Sequence, residues 1–577
     1  MTIKGAMHLN NKLIPRLSKV ALAVSLTLGV TNVAQAKSWT TDDGDWTIQF
    51  DSTWTIGSSW RLEDRDMRLV GIANGGSAFS TNGDDGNLNF DKGDAFSRVF
   101  KGLHELGVSY QDTYGVFTRF RYFYDTELVD ERRPFKQLAE ASINQAGKDV
   151  QLLDAFAYGS WDLGDHYLQV RLGKQVINWG ESTFIQHGIA EANPLNLSAL
   201  RAPGSELKEA FIPLQALWAS FDITDNVSLE GYVQFDWAPF RFDVPGSYFA
   251  TNDFVGAGGR EIYLGFGLFP EGAPGTVAIR LPDRVARDDG QYGLKLSWYA
   301  EELNETEFGF YYLNYHNKRP IISAYAHNGV QVEGFLEYIE DIKLYGFSFN
   351  TLGPAGLSIA GEVSYRKDEP IQIDDVELLF AALEPVGTIP SGTSQIPGGA
   401  LPGDEISGYR LLDTVQAQMT FTQLLGPMLG SDQFTVLLEV GADWILNMPS
   451  QSELRFEAPG TSRSANPARA AFEGVETNPF ADDFSWGYRL VGKLDYSDAF
   501  YGWNASPRIV FQHDVSGTTP LPIGNFVEGR KAVAVGLTLD YQSRWKIDIN
   551  YNQFFGAGTA NTLSDRDYAS ISVSYSI

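Results

Sequence analysis

The sequence predicts an all-β protein built as a single transmembrane antiparallel β-barrel of about eighteen strands, with sixteen as the alternative count. Three observations carry that prediction. Eighteen segments alternate apolar and polar side chains with a period of two. The links between them alternate between short turns and long loops along the whole chain. The last segment, YASISVSYSI over 568–577, is an amphipathic strand with no tail, as a strand that pairs with the first to close a cylinder should be.

Residues 1–36 read as an address. Lys4, Lys12, Arg16 and Lys19 precede an apolar run from Val20 to Val30, and Ala34-Gln35-Ala36 supplies a small-x-small cleavage pattern. A helix over that run rises about 16 Å, roughly half of a hydrocarbon core, so the segment fits a signal peptide better than a membrane anchor. Residues 37–577 are then one barrel domain, expected in the cell outer membrane. The chain has no cysteine, which excludes a lipoprotein anchor and a disulfide framework. It carries 72 acidic and 44 basic side chains, four of the basic ones in the leader, and no basic stripe that could neutralise phosphates; nucleic acid is excluded as a partner. A mean hydropathy of -0.19, with no later apolar run of helical-span length, excludes a helical membrane protein. Aromatics at 13% and 58 glycines suit a large β architecture.

In chain order the strands centre on WTIQF, HELGVSY, GVFTRFRY, LDAFAYGSW, YLQVRLGKQ, QALWASFDI, VSLEGYVQF, YGLKLSWY, EFGFYYLNY, IKLYGFSFN, LSIAGEVSY, DTVQAQMTFT, FTVLLEVGA, WGYRLVGKL, SPRIVFQHD, AVAVGLTLD, KIDINYNQF and YASISVSYSI. QDTY, DLGDH, TDN, AEELNET and YQSRW are tight turns, whereas long links run over roughly 61–102, 126–151, 176–213, 238–290, 316–340, 367–411, 443–484, 514–530 and 555–567. Short periplasmic turns and long extracellular loops mark an outer-membrane barrel, and only closed barrels or helices satisfy every backbone polar group in lipid.

Side-chain parity assigns the faces. Val533, Val535, Leu537, Leu539 and Tyr541 would face lipid, as would Ile547, Ile549 and Tyr551, then Ile571, Val573 and Tyr575. Asp548, Asn550 and Asn552, and the serines 570, 572, 574 and 576, would face a hydrated interior. Tyr110, Trp161, Trp237, Trp298, Tyr365 and Trp486 at strand ends would form interfacial girdles. Inward parity also falls on Arg119, Arg121, Arg171, Lys295, Arg489, Lys493 and Arg508, together with Glu230, Asp236, Glu362, Glu439 and Asp548. This mixed lining suits a general or substrate-selective channel more than an anion filter.

Residues 170–220 read VRLGKQVINWGESTFIQHGIAEANPLNLSALRAPGSELKEAFIPLQALWAS. The R-L-G-K-Q strand, N-W-G-E-S, the N-P pair and R-x-P-G-x-E-x-K-E-A resemble the signature of a large family of Gram-negative outer-membrane proteins catalogued as a domain of unknown function. The resemblance spans the mature chain. It implies encoding beside exporters of the resistance-nodulation-division type, a periplasmic or inner-membrane transport partner, and movement of lipidic, steroid-like or aromatic molecules. Ile577 stands where barrel-assembly machinery commonly meets a terminal aromatic, with Tyr575 two places earlier.

The link 176–213 can do more than connect. Asn178 to Ser182 form a turn, Asn193-Pro194 another, and Pro203-Gly204-Ser205 offers a breaker and an N-cap for the short helix ELKEAF. Such a loop can fold inward. Trp179, Glu181, Arg201, Glu206, Lys208 and Glu209 would then form or brace a constriction, together with the wall residues Arg119, Arg121, Arg171, Arg489 and Lys493. The competing arrangement is a rigid outer cap held by an Arg201–carboxylate pair.

No enzyme is expected. His187 near Glu181 and Ser182 is the one local cluster resembling a nucleophile and base, and a surface histidine in a polar loop accounts for it. His104 and His513 read as wall or girdle residues. Nothing has zinc-ligand spacing, GAGGR at 256–260 is a loop tip, and the Asp- and Gly-rich NGDDGN at 82–87 could hold calcium weakly but departs from the EF-hand pattern and reads better as a loop, so no metal or other cofactor is expected. An N-terminal plug is also absent from the expectation, and the Pro- and Gly-rich stretch 381–403 reads as a mobile loop. The sequence therefore predicts an outer-membrane channel, porin-like, for small hydrophobic or aromatic solutes, in contact with outer-membrane lipid and lipopolysaccharide. A barrel with a loop-based hydrolase or adhesin activity is the alternative.

Overall fold

The computed structural model describes residues 37–396, 400–460, 463–474 and 480–577; the leader, residues 1–36, lies outside the described residues. Among these, eighteen strands form one closed antiparallel ring, and a short strand, Lys37–Thr40, folds back on the first of them. In chain order the ring consists of β1 Trp46–Arg61, β2 Ala95–Tyr110, β3 Tyr114–Asp125, β4 Lys148–Leu163, β5 His166–Gln175, β6 Leu214–Thr224, β7 Val227–Gln234, β8 Tyr292–Ala300 and β9 Thr306–Tyr315. It continues with β10 Ile342–Leu352, β11 Ser358–Gln372, β12 Tyr409–Leu424, β13 Gln433–Ile445, β14 Phe484–Phe500, β15 Trp503–Ser516, β16 Lys531–Tyr541, β17 Trp545–Phe555 and β18 Tyr568–Ser576. Every segment that the period-two pattern marked is one of these strands, in the same order.

The ring closes where β18 meets β1, with Ser576 opposite Thr53 and Tyr568 opposite Arg61. On the inner side of this seam the hydroxyls of Thr53 and Ser576, and of Thr55 and Ser574, are hydrogen-bonded at 2.9 Å. Closure removes the edges that an open sheet would leave unpaired. Because residues two apart share a face of the pleat, apolar side chains project outward around the ring. Ile56, Leu172, Leu294, Val363, Ile509 and Ile571, on six different strands, are 38–58% exposed, while Ser570, Ser572 and Ser574 between them are covered. Trp161 and Trp298 also lie exposed at strand ends. No helix among the described residues is long and apolar enough to cross a membrane.

Two residues depart from the parity assignment. β7 stops at Gln234, so Asp236 and Trp237 belong to the following loop. Asp236 accepts the Gln215 N–H at 2.7 Å, and Trp237 packs edge-on against Tyr338 at 4.7 Å, so neither is a wall or girdle residue.

One rim carries tight turns. At Tyr501–Gly502 the φ angles are 49° and 81°, the left-handed pair that matches the strand twist in a two-residue hairpin. The opposite rim carries the long loops, and these pack into a folded cap. Short strands over Glu405–Ile406, Ile321–Tyr325, Glu333–Glu337, Val277–Arg280 and Glu261–Tyr263 lie side by side in that order. Ala278, Ala324, Val332, Leu378, Ala382 and Ile406 make the apolar core between this sheet and the helix Asp375–Leu383. The stretch 381–403, expected as a mobile loop, thus contains the end of a packed helix and a 3₁₀ turn over Glu384–Val386; residues 397–399 lie outside the described residues.

Candidate functional site

The segment 176–213 leaves the wall at β5 and returns at β6. Its residues 181–189 lie in no helix or strand, so their N–H groups need partners from elsewhere in the molecule. The pleat aims two carboxylates at them. Glu439 on β13 accepts from Thr183, Phe184 and Ile185 at 2.7, 2.8 and 2.8 Å. Glu362 on β11 accepts from Glu181 and, at 2.9 Å, from Ile189. Both carboxylates are buried, a position tolerable only with such donors. From the same arc of the wall, the fully buried Arg366 donates to the carbonyl of His187 at 2.7 Å, and Gln416 donates to that of Gln186 at 2.7 Å. A Cβ at Gly188 would lie 1.9 Å from Glu362 Oε1, so any larger residue would displace this carboxylate from the segment.

The other half of the segment reaches the opposite arc. Asn196 caps a turn of helix over Leu197–Arg201. Glu206 caps the next, Leu207–Ala210, and Glu209 closes the capping box. The sequence placed that cap at Ser205; its hydroxyl instead donates to the Ala199 carbonyl at 2.6 Å, and the cap moves one residue on. Lys101 on β2 pairs with Glu209 at 2.7 Å and donates to the Gly204 carbonyl at 3.0 Å. Arg121 on β3 donates to the Glu209 carbonyl at 2.8 Å. A Cβ at Gly57 on β1 would come within 2.5 Å of Pro203. The segment therefore touches β1–β3 at one end and β11–β13 at the other, arcs that face each other in an eighteen-membered ring, and so it crosses the bore.

The remaining candidate residues fall into two groups. Trp179 roots the segment: it is buried beside Tyr232 and Tyr311, and its indole N–H donates to Glu230 at 3.0 Å. Glu181 accepts from Asn350 at 3.1 Å. Lys208 bridges Glu105 at 3.1 Å and Glu206 at 3.3 Å, and Arg119 bridges Glu105 at 2.7 Å and Asp154 at 2.6 Å. Arg201 pairs with Asp243 at 2.9 Å and stacks over Phe249 at 4.2 Å, so it ties the segment to loop 235–291. Burial raises the Asp243 carboxyl and Arg201 opposes the shift. Arg171, Arg489 and Lys493 are not brought to this segment by these contacts. Arg171 stacks over Trp218 at 4.1 Å, Arg489 pairs with Asp514 at 2.8 Å, and Lys493 pairs with Asp495 at 3.0 Å.

His187 is a correction. It is 6% exposed, with Nδ1 3.1 Å from Glu191 and Nε2 2.7 Å from Glu369, because the loop that carries it folds inward. Two anchors escaped the sequence reading. The alternation places Lys101 in a loop, whereas β2 begins earlier, at Ala95; Arg366 shares a face with Glu362 and Ser364 on β11, one residue beyond the alternating segment.

Above the bore, the cap forms a partly open cavity of about 120 Å³. Phe79, Phe254, Ile262, Phe266, Val332 and Leu378 line it, drawn from loops 62–94, 235–291, 316–341 and 373–408.

Residues 17–577 match the family described as "Protein of unknown function (DUF1302)". No curated protein matches the chain. Among solved structures, Acinetobacter baumannii OccAB3 is 10% identical, with 92% of this chain and 99% of that one covered and a TM-score of 0.41. Pseudomonas aeruginosa OccK1 (OpdK) is 10% identical, with 92% and 98% covered and a TM-score of 0.37. A BenF-like porin from Pseudomonas fluorescens Pf-5 is 9% identical, with 92% and 98% covered and a TM-score of 0.40.

Proposed function

Because the chain belongs to the family described as "Protein of unknown function (DUF1302)", its function has to be read from the barrel, and we propose that it is an outer-membrane channel for small hydrophobic or aromatic solutes. The observation that carries this reading is the segment 176–213, which leaves β5 and hydrogen-bonds to Glu362 and Glu439 across the bore. A closed wall with an apolar exterior meets the requirement of lipid, and a strut across its interior narrows the path to one that selects. In this proposal Trp179, Glu181, Glu206, Lys208 and Glu209 form or brace the constriction with Arg119 and Arg121, while Arg201 secures it from the cap side.

Two features support the solute class. Two of the cationic side chains near the strut are matched by carboxylates: Arg119 lies between Glu105 and Asp154, and Lys101 holds Glu209, which weakens the attraction for a diffusing anion. The cavity above is walled mainly by aromatic and aliphatic side chains, the lining that suits an apolar ligand. A periplasmic or inner-membrane transport partner, implied by the family resemblance, belongs to the same proposal.

Planar-bilayer recordings of the intact chain and of a variant lacking 183–207 test the strut. A larger single-channel conductance in the variant is expected, and equal conductance would remove the constriction. Uptake of sterols and aromatic compounds by deletion and complemented strains tests the solute class, and equal uptake by both would remove it.

A further inference from the structure

We infer that Asp84, Asp85 and Asp253 form a calcium site that clips loop 62–94 to loop 235–291. The three residues are 1%, 1% and 6% exposed, and one carboxylate oxygen from each lies within 4.8 Å of the others. Ca²⁺ binds oxygens at 2.3–2.6 Å, so ligands on one ion are separated by up to about 5 Å.

Proximity alone would not make a site; the unsatisfied oxygens do. Asp85 Oδ1 and Asp253 Oδ1 are both buried and have no hydrogen-bond partner among the described residues. The other oxygens of these two residues are engaged: Asp85 Oδ2 pairs with Lys136 at 2.8 Å, and Asp253 Oδ2 accepts the Asp85 N–H at 3.4 Å. Asp84 accepts from Gly71 N–H at 2.8 Å and from the Asn74 amide at 3.0 Å. Lys136 also pairs with Glu271 at 3.0 Å, and Glu271 Oε1 is likewise buried without a partner. Lys136 therefore pairs with two of these four carboxylates and reaches neither Asp84 nor Asp253 with a direct ion pair. Buried carboxylates without donors are costly, and a cation supplies both the charge and the coordination they lack.

The flanking residues of the 82–87 motif explain how the second loop reaches the first. A Cβ at Gly83 would lie 2.6 Å from the Thr251 carbonyl oxygen, and one at Gly86 would lie 2.1 Å from that of Ser247. Only glycine permits this backbone contact, and it brings Asp253, whose N–H donates to the Asn82 carbonyl at 2.8 Å, onto Asp85. The all-oxygen set and the absence of nitrogen or sulfur ligands select a hard cation; a site shaped by two loops, without an octahedral frame, favours Ca²⁺ over Mg²⁺.

The experiment uses the full-length barrel in detergent, stripped with a chelator and free of lipopolysaccharide, titrated calorimetrically with CaCl₂ and separately with MgCl₂. One saturable Ca²⁺ site with Kd of about 10⁻³ M or tighter, and calcium-dependent protection from hydrogen exchange in peptides over 82–90 and 247–255, are expected. Asp253→Asn should weaken binding at least tenfold and abolish that protection; Asp85→Asn should do the same and serves if the first variant fails to fold, as judged by heat-modifiable electrophoretic mobility. Glu457→Gln, at the acidic group Asp374, Asp375 and Glu457 elsewhere in the cap, should bind Ca²⁺ like the unaltered chain. No saturable heat, unchanged binding in both Asp variants, or loss of binding in Glu457→Gln would each overturn the assignment. The site does not depend on the channel reading, because the cap can bind Ca²⁺ whether or not the bore conducts.

Discussion

Glu439, on the inner face of β13, accepts the backbone N–H of Ile185 at 2.8 Å across 254 residues of chain, and the adjacent Thr183 and Phe184 share the same carboxylate. One side chain thus satisfies three donors that have no backbone partner among the described residues. Glu439→Ala leaves the buried Ile185 N–H and the part-buried N–H groups of Thr183 and Phe184 without their acceptor, at a cost of about 1–3 kcal/mol for the buried one, and should free this end of the strut. The expected outcome is a larger and noisier single-channel current. Glu439→Gln keeps one acceptor oxygen and should fall between the two; if all three proteins conduct alike, the strut does not limit the current.

Trp179 anchors the other root of the strut. It is 4% exposed, packs against Tyr232 at 4.9 Å and Tyr311 at 6.0 Å, and donates to Glu230. Trp179→Ala removes a large buried aromatic, a change that costs about 3–5 kcal/mol. The barrel wall should survive it, because the sheet closes independently of the strut. Heat-modifiable mobility should therefore persist with a lowered transition temperature, while proteolysis within 176–213 should accelerate. Undiminished resistance to proteolysis would argue that other contacts hold the segment.

The cap should loosen at alkaline pH. Asp374 caps the helix Asp375–Leu383 through Val376 N–H at 3.0 Å and is fully buried. Burial, followed by repulsion from Asp375 and Glu377, raises its carboxyl to about 8 against the opposing pull of Arg455. The folded state thus holds the proton more tightly than the unfolded chain, whose aspartate titrates near pH 4. Its stabilising contribution is complete below about pH 4 and is lost as pH rises through about 8. Hydrogen exchange over 375–383, corrected for the intrinsic rate, should increase between pH 6 and pH 9. Asp374→Asn, which still caps, should flatten that increase, and exchange that slows with pH would contradict the assignment.

The wall was legible in the sequence and the strut only in part, for a physical reason. Period-two alternation is imposed locally by the pleat, so ASISVSYS could be read as a strand, and its faces assigned, without knowing its neighbours. Glu362 and Glu439 were placed on the inner face by the same rule. Their partners are backbone N–H groups of residues 181–189, and no spacing encodes a contact between a loop and the far wall. His187 illustrates the loss: a polar loop reads as surface until the loop is known to fold inward. The cap sheet was missed because its strands run two to five residues, as in Glu405–Ile406 and Ile321–Tyr325, too short to show a period. NGDDGN is visible as a motif, but Asp253, 168 residues from Asp85, decides what it can do.

The cavity in the cap gives the last test. Val332 is 5% exposed and shares its lining with Phe254, Ile262 and Leu378. Val332→Phe adds a ring to the wall of this cavity and should narrow it. Overpacking costs about 1–3 kcal/mol at a tightly packed site, less where a void receives the larger side chain, so the cap should remain folded. If apolar solutes pass through this cavity on the way to the bore, their uptake should fall severalfold in cells carrying the variant. Conductance of small ions, which need no apolar site, should be unchanged. The contrast between the two readouts is the point of the experiment: a parallel fall in both would indicate a collapsed cap, and no fall in uptake would show that the cavity lies off the solute's path.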